Sequence, residues 1–287
     1  MSRAVLIKNF DKPFPANIEV ATRPIPTPGP DELLVRVTCR PVNPSDVYTV
    51  KGKTPGFPGQ LPAVPGFEGC GVVQDNNGHA KFENGQRVIV MFDAAKGQGS
   101  WQEHVCVPED RLIATPDSMP DEVACQFFVN PLTIMGLLHR ANAPQGAYIL
   151  QTAASSSLGR MLIAVAKHKG LKTINIVRRD EHIADLKELG GDVVINFTGL
   201  KEGELKKKVD AEVGDGVVWA ALDCVGGPLL AEVMRCVRDK GEVLAFGMMD
   251  SVIAQVDYTQ LMGRGVSLKG FMLLDYLDSL DPAARSK

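Results

Sequence analysis

The 287-residue chain has no long hydrophobic run. Its most apolar stretches, such as Gly216–Leu222, fall far short of the roughly 20 residues a membrane-spanning helix needs. It also has little net charge. Lys and Arg number 31 and Asp and Glu 34, leaving −3, which argues against nucleic acid or a membrane surface as the main partner. The six cysteines (Cys39, Cys70, Cys106, Cys125, Cys224, Cys236) form no C-x-x-C pair, and the five histidines (His79, His104, His139, His168, His182) form no H-E-x-x-H or other ligand spacing. The thiols therefore read as reduced and mostly buried, and no metal motif is present. A charged n-region, a long apolar h-region and an Arg/Ser-rich transit stretch are all missing at the start, so the expected location is the cytosol. No internal repeat or low-complexity segment occurs.

What is present is an ordinary soluble composition, 45% hydrophobic and 23% charged, long enough for one large domain or two of usual size. The periodicity divides it. Up to about residue 125, apolar residues alternate with period two between Pro- and Gly-rich turns. Ala4–Ile7, Glu32–Arg40, Gly69–Gln74, Gln86–Val90 and Trp101–Val107 read as strands of an antiparallel, partly open barrel. Asp75-Asn76-Asn77-Gly78 and Glu83-Asn84-Gly85 supply turn chemistry.

From Pro120 the pattern changes. Asp121 opens a helix and Asn130–Ala141 reads as another. Strands at Ala147–Thr152, Thr173–Val177, Val193–Ile195, Val217–Leu222 and Glu242–Phe246 then alternate with helices at Leu158–Lys169, Glu181–Leu189, Leu205–Glu212 and Pro228–Arg238. Alternation of this kind predicts βαβ units and a parallel sheet of Rossmann type. The expected division is a barrel domain over 1–125, a dinucleotide-binding domain over 126–275 and a tail over 276–287.

Ligands of such a sheet bind beyond the carboxyl ends of its strands. The first strand–helix turn runs Thr152-Ala153-Ala154-Ser155-Ser156-Ser157-Leu158-Gly159. Only Gly159 remains of the usual glycine fingerprint, and short serines fill the other places. Taken alone, the turn fits either a pyrophosphate cradle or an ordinary capped helix start. The second strand decides more. It ends in Arg178-Arg179, about 20 residues after the loop, where an acidic residue would suit the ribose of NAD. Arginine there matches a 2′-phosphate in charge and in fork geometry, which points to NADPH. Asp180 follows and is expected to temper or orient the pair.

Several segments together resemble the zinc-independent medium-chain dehydrogenase/reductase superfamily. They are Val42-Asn43-Pro44-Ser45-Asp46, Leu61–Gly69, Gly99-Ser100-Trp101, Val129-Asn130-Pro131-Leu132-Thr133, Lys172–Arg179, Asp223-Cys224-Val225-Gly226-Gly227 and Lys269-Gly270-Phe271. The trans-2-enoyl thioester (CoA or acyl-carrier-protein) reductases are the most similar branch and the NADPH:quinone oxidoreductases the next. The resemblance implies a GroES-like partly open β-barrel followed by a Rossmann domain. It places Asn43 among the catalytic residues and Asn130 and Thr133 by the nicotinamide. Ser155, Ser156, Ser157 and Leu158 would lie on the pyrophosphate, and Arg178 and Arg179 on the 2′-phosphate. Cys224, Phe246, Gly247, Met248 and Met249, with Phe271, Met272 and Leu273, would lie along the cofactor. It also implies a homodimer, with Ser251–Leu268 as the candidate interface.

Three departures qualify it. Gly66-Phe67-Glu68 stands where zinc alcohol dehydrogenases carry Gly-His-Glu, and Phe67 cannot ligate a metal. Lys53-Thr54-Pro55-Gly56 stands where enoyl reductases carry a tyrosine, so Thr54 takes its approximate place. Tyr48 lies one strand turn earlier, either as a proton donor or as core packing. Family members also continue for about one more helix and two strands, which leads to the expectation of an incomplete catalytic domain with an exposed sheet edge. Without a Lewis acid, the chemistry expected is hydride addition to an activated double bond. Three functions stay open: an NADPH-dependent reductase of 2-enoyl thioesters, an NADPH:quinone or enone reductase, and a catalytically idle NADPH-binding protein.

Overall fold

The computed structural model describes residues 1–54, 59–92 and 96–280. The tail Asp281–Lys287, and Pro55 and Gly56 of the tyrosine-site segment, lie outside the described residues. Two compact units are present, Met1–Val129 and Asn130–Lys287. No helix among the described residues is long and apolar enough to cross a membrane.

The first unit contains β1 (Ser2–Ile7), β2 (Ile18–Arg23), β3 (Glu32–Cys39), α1 (Pro44–Val50), β4 (Glu68–Asp75), β5 (Arg87–Met91), β6 (His104–Pro108), β7 (Leu112–Ala114) and α2 (Asp121–Ala124). β1 and β2 pair with each other, and the rest form an antiparallel sheet in the order β6-β3-β4-β5-β7. Period-two alternation turns Leu33, Val35 and Val37 of β3 to one face, where they pack with Val88 and Val90 of β5 and Val105 and Val107 of β6. β2 escaped the sequence reading because it is largely solvated on both faces, with Val20 72% exposed.

Tyr48 is not on a strand. It lies on α1, although Val47-Tyr48-Thr49-Val50 is β-prone by composition. The local start signal overrides that preference. Asn43 is the N-cap, Pro44 stands at the first helical position, and the Asn43 N–H donates to Asp46 Oδ2 at 2.7 Å.

The second unit contains α3 (Val129–Ala141, starting at the unit boundary), β8 (Tyr148–Gln151), α4 (Ser157–His168), β9 (Lys172–Val177), α5 (Glu181–Glu188), β10 (Val193–Asn196), α6 (Glu204–Val213), β11 (Val218–Asp223), α7 (Leu229–Cys236), β12 (Glu242–Ala245), α8 (Tyr258–Arg264), β13 (Ser267–Gly270) and α9 (Leu273–Asp278). Its six strands are parallel in the order β10-β9-β8-β11-β12-β13. Counted along the sheet this is 3-2-1-4-5-6, with the reversal between β8 and β11. Both faces are covered. Leu150, Ile174 and Ile176 pack with α6 and α7 residues such as Val209 and Val233, while Ile149, Leu222 and Leu244 pack with α3 and α4 residues such as Leu137 and Leu162. Tyr276 was assigned to the tail, but it is buried on α9 in the second of these clusters, with Leu277 and Leu280 packed beside it. An apolar face with spacing i, i+1, i+4 extends the unit to Leu280.

Candidate functional site

The reversal between β8 and β11 opens the carboxyl end of the sheet, and a hydroxyl holds it in place. Thr152 Oγ1, just after β8, donates to Asp223 Oδ1 at 2.7 Å and accepts from the Cys224 N–H at 3.0 Å. Asp223 is buried and also accepts from the Val225 and Gly226 N–H groups. Neither residue was singled out for this from sequence. A buried Thr–Asp pair joining two strand ends gives no periodic signal.

The serine loop then starts α4. Ser156 is its N-cap, and its Oγ accepts from the Gly159 N–H at 3.2 Å. Gly159 has no room for a side chain, since a Cβ would lie 2.5 Å from Ala154 O and 2.7 Å from Ala154 C. That close approach lets the helix start sit directly on the end of β8, the position from which a helix N-terminus faces a phosphate. Gly247 is constrained in the same way, because a Cβ would lie 2.8 Å from Cys224 O.

A cavity of about 400 Å³ lies at this end of the sheet. Ser155, Ser156, Arg178, Arg179 and Met249 of the expected cofactor residues line it, with His182, Asp250 and the apolar Ile176, Val177, Phe197, Val225, Pro228 and Leu229. It is an apolar slot with a cationic rim, suited to a purine whose ribose carries a phosphate. The Arg178 guanidinium has no ion pair among the described residues, and its carbonyl accepts from Thr198 Oγ1 at 2.8 Å. Asp180 does not temper the arginines as expected. Its Oδ1 accepts from Asn196 Nδ2 at 2.8 Å, and Glu181 pairs with Arg179 instead, at 3.1 Å. The reason is local. Asp180 sits at the α5 N-cap, whereas Glu181 lies two residues on from Arg179.

The remaining cofactor candidates lie elsewhere in this unit. Ser157 and Leu158 begin α4. Asn130 is half-buried and Thr133 buried on α3. Cys224 is buried, with its Sγ 3.9 Å from Met249 Sδ, and burial pushes its thiol up to about 12. Phe246 and Met248 follow β12. Phe271 is committed to the core, with its ring centroid 5.6 Å from that of Tyr276, while Met272 is exposed and Leu273 starts α9. All six cysteines are free thiols, and four are buried.

The first unit holds the other candidates around two buried carboxylates. Asn43 Nδ2 donates to Glu68 Oε1 at 2.8 Å, and Glu68 Oε2 accepts from the Phe128 and Val129 N–H groups at 3.1 and 2.7 Å. Asp46 accepts from the Asn43 and Phe67 N–H groups. Burial pushes Asp46 up to about 6 against the pull of these donors, and raises Glu68 as well. The Thr54 and Thr49 hydroxyls lie 2.8 Å apart, and Thr49 is fully buried.

A model of the alcohol dehydrogenase GroES-like domain matches residues 29–117, and one of the zinc-binding dehydrogenases matches 157–284. The Xenopus tropicalis mitochondrial enoyl-[acyl-carrier-protein] reductase is 33% identical over 254 residues, covering 87% of this chain and 71% of the relative. The chain belongs to the medium-chain dehydrogenase/reductase superfamily. Within the family, a Bacillus thuringiensis protein described as an NADPH:quinone reductase superposes with a TM-score of 0.87 at 26% identity, over 99% of this chain and 84% of that one. A mycobacterial protein solved in complex with NADPH gives 0.83 at 26% identity, over 96% and 82%.

The zinc in the family description does not fit these residues. Phe67 has no ligating atom, and both Glu68 oxygens are occupied by N–H donors. Among the described residues no three His, Cys, Asp or Glu side chains come together as a ligand set. A dinucleotide with a 2′-phosphate does fit, because the Gly159 turn is clear of side chain and Arg178 is uncommitted at the rim.

Proposed function

We propose that this chain is an NADPH-dependent reductase that delivers hydride to the activated C=C bond of a trans-2-enoyl thioester. The observation that carries it is the cationic rim of the β9 cavity, with Arg178 in no ion pair among the described residues beside an apolar slot. Likeness to enoyl-[acyl-carrier-protein] reductases supports the substrate class. When bound, the cofactor supplies the hydride. The chain does the rest. Arg178 and Arg179 hold the 2′-phosphate, Ser155 to Leu158 the pyrophosphate, and Asn130, Thr133 and the Phe246–Met249 and Phe271–Leu273 segments the nicotinamide side. Asn43, Tyr48 and Thr54 form the proposed catalytic group. Tyr48 is the better proton donor to a developing enolate, because a phenol is far more acidic than the threonine hydroxyl.

A second acceptor, a quinone or enone, is favoured by one observation. The hydroxyl in the tyrosine's place, that of Thr54, is already bonded to Thr49. NADPH oxidation with crotonyl-CoA against 1,4-quinones separates the two. Turnover with crotonyl-CoA at the higher kcat/KM is expected. Tight NADPH binding with no turnover of either acceptor would leave a cofactor-binding protein and overturn both readings.

Homodimerisation through Ser251–Leu268 is also proposed. Val252, Ile253 and Met262 are 64%, 79% and 80% exposed, and β13 pairs only with β12 among the described residues. Unpaired edges and clustered apolar side chains favour self-association. Sedimentation should show a dimer that Ile253→Glu with Met262→Glu dissociates. A cytosolic location is proposed on the six unpaired thiols, which fit a reducing compartment. The mitochondrial relatives make cell fractionation the test.

A further inference from the structure

The phosphate corner of the cavity holds more than two arginines. His182, in the first turn of α5, lines the same wall as Arg178 and Arg179. Its Nε2 lies 3.0 Å from Nη2 of Arg179. Arginine carries only donors, so in this contact Nε2 accepts. Glu181 Oε1 lies 3.1 Å from Arg179 Nε and 3.7 Å from His182 Nε2. Arg179 is thus held from two sides, while Arg178 stands ready.

A phosphomonoester of charge about −2 entering this corner competes with Glu181 for Arg179. Once Arg179 turns to the phosphate, His182 Nε2 loses its donor and faces an anion instead of a cation. We propose that His182 is a third reader of the 2′-phosphate, donating a ring N–H to it once Arg179 has turned to the anion, and that Glu181 is a built-in competitor that sets how strongly the phosphate is preferred. The proposal rests on the NADPH reading.

The other charges around His182 do not oppose this. Asp185, one turn on along α5, interacts electrostatically with His182 and is paired with Arg160 of α4. Asp180 is tied to Asn196 at the end of β10. Asp250, from the segment after β12, is the acid lining the cavity.

The test is calorimetric titration of the full chain with NADP⁺ and NAD⁺ at pH 7.5, where the free phosphate, with a second pKa of about 6, is already almost fully ionised. His182→Asn should weaken NADP⁺ by roughly three- to tenfold while leaving NAD⁺ unchanged. Glu181→Gln should tighten NADP⁺ by about two- to fivefold. NADP⁺ binding that is unchanged in His182→Asn, or unchanged or weaker in Glu181→Gln, would overturn the proposal with the NADPH reading intact. A wild-type chain that binds NADP⁺ no better than NAD⁺ would overturn that reading itself.

Discussion

The two units hold their charged residues in opposite ways. In the barrel unit, Asp46 and Glu68 are each 1% exposed, and their oxygens are occupied by N–H donors from Asn43, Phe67, Phe128 and Val129. In the cofactor unit, Arg178 and Arg179 stand exposed at the rim of a cavity, and one has no ion pair among the described residues. A buried charge must have its partners inside the fold, because desolvation without them costs several kcal/mol. An exposed charge can stay uncommitted at little cost and await a ligand. Satisfied polar groups therefore mark where geometry is held, and uncommitted ones mark where binding happens.

The largest expected effect breaks the held side of this contrast. Glu68→Ala strips three donors of their acceptor, and at 1–3 kcal/mol for each buried orphan it should cost about 4 kcal/mol of stability by urea denaturation. A loss under about 1 kcal/mol would show that water replaces the carboxylate. Gly159→Val probes the one place where the cofactor unit is just as tight. A side chain meeting the Ala154 backbone should cost about 3 kcal/mol and weaken NADPH and NADH alike. Arg178→Ala with Arg179→Ala tests the uncommitted side. Stability should be unchanged within roughly 0.5 kcal/mol, while NADPH binding falls about a hundredfold and NADH binding stays constant. Equal losses for both cofactors would remove the arginines from the phosphate.

The smallest effect sharpens the contrast through pH. Asp46 binds its proton more tightly when folded, with a pKa of about 6 against about 3.9 unfolded. Its contribution is therefore fully present below about pH 4 and is lost as pH rises through 6. Thermal unfolding of wild type against Asp46→Asn between pH 4 and 7.5 should show the wild type losing stability, relative to the variant, as pH rises. Parallel curves would assign the pH dependence to other groups.

The cofactor unit was far more legible in the sequence than the barrel unit. Its strands and helices bury continuous apolar faces, so periodicity found each main strand from β8 to β12. The arginines announced themselves because a strand end has a fixed place in such a sheet. The barrel unit hid β2, which buries no face, and α1, where β-prone residues follow an N-cap that Asn43-Pro44 and Asp46 could have signalled. Within the site, His182 was passed over as one of five scattered histidines, and Asp180 was expected where Glu181 acts. Asp180 and Glu181 are neighbours in sequence, and only the geometry at the helix start turns one to Asn196 and the other to Arg179.

Composition and periodicity by themselves determined the class of the protein, an α/β chain with a barrel half and a dinucleotide-binding half, and the charge at the second strand's end that suits NADPH. Only the tertiary structure decided which carboxylates are locked, which arginine is uncommitted and which histidine joins it. Burial periodicity is a local property of the chain. The pairing of one charge with another depends on segments far apart in sequence, such as Thr152 with Asp223 and Asn43 with Glu68, and they meet only once the sheet has formed.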